Sequence, residues 1–272
     1  MRVIKKADFA AARQALTGSV GFVPTMGFLH EGHVSLLERA RAENDHLVLS
    51  LFVNPTQFGP NEDFASYPRD LARDLALAEK AGVDLVLAPD PEEMYPPGYS
   101  TFVEVEGVSE RWEGARRPGH FRGVATVVLK LFNLVRPTRA YFGEKDYQQL
   151  QVLRHMVRDL ELGLELVGCP TIREADGLAK SSRNTYLDEE GRANAVFLSR
   201  ALSLARDSEE TDVETLLAEM KALIGDRMRI DYLAIVDRDT LEPLEKLEGE
   251  ARAIGAAFVG KVRLIDNMPI RR

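Results

Sequence analysis

Two short apolar runs constrain the fold of this chain most. "SVGFVPT" (19–25) and "HLVLSLFVN" (46–54) carry apolar side chains on both faces. That is the pattern of strands covered on either side in a parallel sheet. Parallel neighbours need a crossover long enough to hold a helix. Residues 31–43 supply one, with Val34, Leu37 and Ala40/Arg41 at helical spacing. Strand, helix and strand within about 35 residues make a βαβ unit.

The alternation continues. Residues 69–81 place Leu71, Leu75 and Ala78 on one helical face, and Gly82 ends the run. "VDLVLAP" (83–89) follows as a strand, and the proline-rich stretch 88–100 as a loop. An apolar helix over 121–135 stops before Pro137, and "RAYFG" (139–143) is the next strand. Leu150, Leu153, Val157 and Leu160 mark another helix, before a last strand at "LELVGCP" (164–170). This order predicts an α/β domain over 1–184, a parallel sheet with helices on both faces. After Asn184 the grouping changes. Two helices, 188–206 with Asp188 as N-cap and 212–225, come close together. "IDYLAIVD", "ARAIGAAFVG" and "VRLIDN" then read as three strands without helices between them. A smaller α+β domain over 185–272 is expected.

Composition narrows the function classes. The net charge of −8 argues against nonspecific nucleic-acid binding, which needs a broad basic face. Any anionic ligand then requires a local cluster of donors. No stretch approaches the ~18 uninterrupted apolar residues of a membrane span. Cys169 is the only cysteine, so no intrachain disulfide forms and a cysteine-based metal site is not expected. "MRVIKKADFAAARQAL" lacks the continuous apolar core of a secretory signal, and a cytoplasmic location is expected.

"PTMGFLHEGH" (24–33) sits where the first of these strands turns into a helix. In a parallel sheet, ligands bind beyond the carboxyl ends of the strands. A helix beginning there offers N–H groups and the positive end of its dipole, which suits phosphate. His30 and His33, at i and i+3, share one face of the turn. The stretch reads either as a phosphate-binding corner or as a surface turn with ordinary histidines. "HEGH" lacks the i, i+4 spacing of H-E-x-x-H, which argues against zinc.

Three other polar clusters follow strands or close the sheet domain. In "FVNPTQF" (52–58), Asn54 and Gln57 carry neutral amides suited to a polyhydroxy acid, or form an Asn-Pro turn. In "YFGEKDYQQL" (141–150), Lys145 suits a nucleotide phosphate and Gln149 lies one turn on. Asp146 serves there as an N-cap or as a partner for a ribose hydroxyl. "READGLAKSSRN" (173–184) offers Lys180, Ser181, Ser182 and Arg183 to a triphosphate, or is a linker loop. Arg116, Arg117, His120 and Arg122 line a pocket mouth or a solvated loop. Trp112, Phe58, Phe64 and Tyr67 read as packing residues, although "FASYPRD" is also a candidate lid.

These motifs, in this order over residues 24–184, resemble the pantoate–β-alanine ligase (pantothenate synthetase) family. That family lies in the H-x-G-H nucleotidyltransferase superfamily that includes the class I aminoacyl-tRNA synthetases. P-T-M-G-x-L-H-x-G-H, V-N-P-x-Q-F, F-G-x-K-D-Y-Q-Q and x-S-S-R-N carry the resemblance. It implies a Rossmann-like fold and the ATP-dependent joining of D-pantoate to β-alanine through a pantoyl adenylate, with Mg2+ accompanying the nucleotide. It implies ATP contacts at Met26, Gly27, His30, His33, Gly143, Glu144, Lys145, Asp146, Ile172, Lys180, Ser181, Ser182 and Arg183. Catalytic roles would fall to His33, His30, Lys145 and Arg183. Gln57 and Gln149 would bind pantoate, with Asn54 beside them, and no protein metal ligand is identifiable. The resemblance also implies a homodimer; the 173–184 loop and the C-terminal domain, as a lid, are expected to close over ATP, because water would hydrolyse an exposed adenylate. Lys180 departs from the apolar residue expected at its position. Two other readings stay open: a phosphopantetheine adenylyltransferase-like enzyme of the same superfamily, and a non-catalytic ATP-sensing module.

Overall fold

The computed structural model describes residues 1–60 and 62–272. The chain divides into two compact units: Met1–Glu144 with Gln148–Pro170, and Lys145–Tyr147 with Thr171–Arg272.

The first unit is built on a parallel sheet. Its elements in chain order are β1 (Arg2–Ile4), α1 (Lys6–Gln14), β2 (Val20–Thr25), α2 (Glu31–Glu43), β3 (His46–Leu51), α3 (Leu71–Lys80) and β4 (Leu85–Leu87). Then come α4 (Pro91–Met94), α5 (Glu113–Arg116), α6 (His120–Val135), β5 (Arg139–Gly143), α7 (Tyr147–Asp159) and β6 (Glu165–Cys169). The strand order is β1-β4-β3-β2-β5-β6, with every pair parallel.

Neighbouring residues on one strand face opposite layers, as a pleated strand requires. Val23 and Tyr141 join the core formed with Leu36, Leu37 and Ala40 of α2 and Ala78 of α3. Phe22 and Phe142, one residue away, meet Phe132 of α6 edge-on, with centroids at 6.4 and 6.3 Å. The sheet is thus covered on both faces, which is why β2 and β3 show no polar–apolar alternation.

Several boundaries differ from the sequence reading. β3 ends at Leu51, because Asn54 instead caps a single 3-10 turn over Pro55–Gln57. The proline-rich stretch contains the short helix α4, closed by Asp90 and Glu93 as a capping box. β1 and α1 escape the sequence reading: β1 is a three-residue edge strand beside β4, and the Lys5 side chain makes no cap for α1.

The second unit contains α8 (Glu189–Asp207), α9 (Val213–Ile224), β7 (Arg229–Asp237), β8 (Glu250–Val259) and β9 (Val262–Arg271). The strands form an antiparallel sheet in the order β7-β8-β9. Leu198, Leu202, Leu216 and Met220 of the two helices share a core with Ile235, Ala253, Ala257 and Ile270 of the sheet. Asp188 caps α8 as the sequence predicts, accepting from the Gly191 N–H at 2.7 Å. The division between units falls at Pro170/Thr171, whereas the change of composition lies near 184. Residues 171–184 belong to the second unit because they are tied to β9. Arg173 forms a double ion pair with Asp266 at 2.7 and 2.9 Å and also donates to the Asn267 carbonyl.

Candidate active site

The direction in which strands are added to the sheet reverses between β2 and β5. From β2 the sheet grows through β3 to one side; from β5 it grows through β6 to the other. The crevice beyond the carboxyl ends at such a switch point is where open parallel sheets take ligands. Two of the expected clusters end these two strands: Met26–His33 after β2, and Gly143–Glu144 at the end of β5.

The corner after β2 is assembled by side chains. Gly27 (φ +83°) and Phe28 (φ +50°) are both left-handed, a conformation natural to glycine and costly for phenylalanine. Thr25 Oγ accepts from the Gly27 N–H at 3.2 Å. Asp74 of α3 accepts from the next two amides, Phe28 N–H to one oxygen and Leu29 N–H to the other, each at 2.7 Å. Burial pushes the Asp74 carboxyl above the usual aspartate range, against the pull of those two amides.

The two histidines then close the start of α2 on themselves. His30 Nδ1 accepts from the Gly32 N–H, and His33 Nδ1 accepts from the His30 N–H, both at 3.2 Å. This is a capping box made of imidazoles. The His33 N–H goes to the His30 carbonyl at 2.8 Å. Of the amides expected to face an anion, Gly32 N–H is taken by the His30 ring and His33 N–H by the His30 carbonyl. A Nδ1 that accepts carries no proton, so both rings hold theirs on Nε2. The imidazoles turn backbone N–H groups into side-chain N–H donors, with ring centroids 4.1 Å apart. Gly32 makes room, since a Cβ there would lie 2.9 Å from the His30 ring.

Gln57 faces the same corner: its Nε2 donates to Met26 Sδ at 3.2 Å and its Oε1 accepts from Asn54 Nδ2 at 3.0 Å. Those contacts leave one N–H and one oxygen lone pair of the amide for a ligand. Asn54 is only 1% exposed. Its Nδ2 also donates to the Gly123 carbonyl, and its Oδ1 accepts from the Thr56 N–H, Thr56 Oγ and the Tyr95 hydroxyl. The Asn54 amide is thus fully engaged within the fold.

The basic loop divides between these roles. Arg117 makes a double ion pair with Glu62 at 2.6 and 2.8 Å and donates to His120 Nε2 at 3.0 Å. His120 Nδ1–H in turn donates to the Gln57 carbonyl at 2.8 Å. Burial and the neighbouring guanidinium pull the His120 pKa down to about 4. His120 is a neutral strut under Gln57, not part of a solvated loop. Of the paired glutamines on α7, Gln148 is buried and holds the 108–113 loop through the Val108 and Arg111 carbonyls and the Glu113 N–H. Gln149 beside it is partly exposed.

In the second unit, Lys145 lies in the turn Glu144–Asp146, its Nζ 3.6 Å from Asp146. Asn267 Nδ2 donates to the Lys145 carbonyl at 2.9 Å, and Asn267 Oδ1 accepts from Arg252 Nε at 2.8 Å. The Arg252 guanidinium stacks 3.7 Å over the Tyr147 ring. The segment 172–180 doubles back as a hairpin, the Lys180 N–H donating to the Ile172 carbonyl at 2.9 Å. Lys180 Nζ pairs with Glu174 at 3.1 Å. Ser181 Oγ caps a short 3-10 turn over Ser182–Tyr186 by accepting from the Arg183 N–H.

Sequence reasoning missed Asp74, Asn267 and Arg252. Asp74 left a signal: it lies four residues before Ala78, and these two are the buried residues of α3, whereas Leu71, expected on the same face, is exposed. Asn267 and Arg252 left none, because their partners lie far along the chain.

Comparison with known proteins shows the family. A family model described as pantoate-beta-alanine ligase matches residues 2–269. A pantothenate synthetase of Moorella thermoacetica is 58% identical over 95% of this chain and 93% of its own. The crystal structure of pantothenate synthetase from Thermus thermophilus superposes with a TM-score of 0.94 at 55% identity, covering 98% of this chain and 99% of that one. A Francisella tularensis pantoate-beta-alanine ligase, described as complexed with beta-gamma ATP and beta-alanine, gives 0.83 at 36% identity over 98% and 97%.

Proposed function

The chain belongs to the pantoate–β-alanine ligase family, and on that premise we infer that it joins D-pantoate to β-alanine with conversion of ATP to AMP and pyrophosphate. The observation that carries the reading is similarity to pantothenate synthetases along nearly the whole chain, at more than half identity.

The chemistry sets the demands on the site. A free carboxylate is a poor acyl donor, because its oxygen is a poor leaving group. The pantoate carboxylate therefore attacks the α-phosphorus of ATP in line, forming pantoyl adenylate and releasing pyrophosphate. The β-alanine amine then attacks the acyl carbon, loses a proton, and AMP departs. The first step needs donors aimed at the charge that develops on the transferring phosphoryl group. His30 and His33 suit this, with both protons fixed on Nε2 by the capping box. As neutral rings they contribute directed N–H groups, and full positive charge falls to Lys145 and Arg183. Met26, Gly27, Gly143, Glu144, Asp146, Ile172, Lys180, Ser181 and Ser182 complete the proposed nucleotide contacts. Gln57 and Gln149 bind the pantoate hydroxyls and carboxylate, and Asn54 acts by fixing Gln57.

Mg2+ accompanies the nucleotide in this proposal. Among the described residues no group of three or more His, Cys, Asp or Glu is arranged to hold a metal ion. Phosphate oxygens and water would supply most of its ligands, and its charge would favour pyrophosphate departure. A homodimer and a cytoplasmic location belong to the same proposal. Among the described residues no helix is long and apolar enough to cross a membrane.

The test is incubation with ATP, Mg2+ and pantoate, followed by mass detection of an enzyme-held pantoyl adenylate, then addition of β-alanine. AMP and pantothenate should appear together. A dinucleotide product formed from a phosphorylated acceptor would place the chain with the adenylyltransferases instead. ATP bound without turnover would make it a sensing module.

A further inference from the structure

We propose that Asp74 is a positioning residue for the His30/His33 pair, acting through the left-handed turn at Gly27–Leu29. The inference rests on the ligase reading for its kinetic arm only. The turn reverses the chain between β2 and α2 with two successive residues at positive φ, and Phe28 is sterically disfavoured there. Successive residues of this kind turn their N–H groups to one side, where buried amides must find an acceptor. Asp74 gives one oxygen to each at 2.7 Å. It reaches them from a different helix, 45 and 46 positions along the chain.

The geometry exceeds what packing alone would demand. Asp74 is 3% exposed. A carboxylate placed there is costly unless its acceptance is used. The Arg73 guanidinium stacks 5.1 Å from the Phe28 ring, so two consecutive residues of α3 grip the same turn. A Cβ on Gly27 would lie 3.0 Å from the Asp74 carboxylate, which leaves glycine as the fitting residue. Immediately after the clamped amides comes the His30 N–H, the donor that fixes the His33 tautomer. Displacement of the turn therefore changes both where His30 begins the helix and which nitrogen of His33 carries its proton.

The charged groups facing Asp74 are Arg73 and Asp70 on its own helix, and the two amides of the turn lie across from it. Asp70 provides the control. It caps the same helix, accepting from the Arg73 N–H at 3.1 Å, and touches neither amide of the turn.

The experiment compares the full-length wild type, Asp74→Asn, Asp74→Ala and Asp70→Ala. Thermal unfolding, pantoate-dependent pyrophosphate exchange into ATP, and long-range 1H–15N spectra of the imidazoles are measured. Asp74→Asn keeps one acceptor and sets an NH2 against the other amide. We expect it to lower kcat for exchange about 10- to 100-fold with little change in KM for pantoate, since small misplacements of catalytic groups carry such penalties. The Phe28 and Leu29 amide protons should move upfield, and His33 should lose its single Nε2–H signature. Asp70→Ala should lower Tm but keep kcat within about twofold of the wild type. Folded Asp74 variants with wild-type kcat and an unchanged His33 spectrum would overturn the proposal. So would equal kcat losses in Asp74→Asn and Asp70→Ala, which would trace the effect to helix stability. If Asp74→Ala fails to fold, Asp74→Asn carries the comparison. A wild type inactive in exchange would refute the ligase reading, and the imidazole spectra would still decide the role of Asp74.

Discussion

His120 couples its own charge state to the position of Gln57. Its Nδ1–H donates to the Gln57 carbonyl while Nε2 accepts from Arg117, so only the neutral ring fits both partners. Glu62 and Glu113 also face it, and their attraction does not offset burial and the nearby Arg117 charge. The folded pKa is about 4 against an ordinary 6.5. As pH falls below 6.5 the unfolded chain takes up a proton that the folded chain refuses, and stability drops until about pH 4. The contribution is on the order of 3 kcal/mol across that window. Urea unfolding at a series of pH values should show it, and His120→Asn should flatten that part of the profile. An unchanged slope in the variant would contradict the assignment. The imidazole donors make a second prediction at this scale. His33→Ala should reduce pantoate-dependent pyrophosphate exchange about 10²- to 10³-fold, as loss of one charge-stabilising donor does elsewhere. Circular dichroism should remain that of the wild type, because losing one capping acceptor costs only about 0.5–2 kcal/mol. Wild-type exchange in the variant would remove His33 from the chemistry. At the scale of residues, the sequence names the two histidines but not their tautomers. The motif names two histidines at i and i+3; only coordinates reveal that each Nδ1 is already committed to a backbone amide.

Between elements, one glycine sets how closely α6 approaches the strand-end turn. A Cβ on Gly123 would lie 2.3 Å from the Thr56 carbonyl oxygen and 2.8 Å from Gln57 Cα. Backbone of the Asn54–Gln57 turn fills that space, and backbone yields less readily than a flexible side chain. Gly123→Ala should therefore push α6 and the turn apart, at a cost of about 1–3 kcal/mol of overpacking. Alanine is the better helix former by about 1 kcal/mol, so a purely local helix effect would raise Tm instead. We expect Tm to fall and KM for pantoate to rise, because Gln57 sits in the displaced turn. A higher Tm with unchanged KM would show that the contact relaxes freely. The same contact shows what was legible at this scale. Apolar runs and helical spacing located most strands and helices, since burial on two faces and on one stripe leaves different periods. They did not reveal β1, which is too short to show a period, nor the 3-10 turn that ends "HLVLSLFVN" early. The element pairing that shapes the site depends on a missing side chain, and a glycine within a helix carries no pattern of its own.

For the molecule as a whole, the informative departure is where the second unit begins. Polar composition put the change near Asn184, yet the stretch from Thr171 is held by β9, the last strand of the chain. Lys145–Tyr147 belongs to the same unit. No local pattern announces this, because the contacts join residues more than ninety positions apart, as in Arg173–Asp266 and Lys145–Asn267. Asn267 concentrates that dependence. It is 3% exposed, and its amide spans the Arg252 guanidinium and the Lys145 carbonyl. Two substitutions separate these contacts. Asn267→Ala removes both hydrogen bonds, one to a part-buried carbonyl and one from a buried guanidinium that keeps its stack on Tyr147, and should cost about 1–3 kcal/mol. Asn267→Asp keeps the acceptor for Arg252 but sets a carboxylate oxygen against the Lys145 carbonyl. If the carbonyl contact holds Lys145 in place, both variants lower kcat/KM for ATP in the exchange assay by a similar factor, although Asn267→Asp keeps the Arg252 partner. A loss confined to Asn267→Ala would make the Arg252 stack the governing contact, and wild-type kcat/KM in both would show that Lys145 keeps its position without β9.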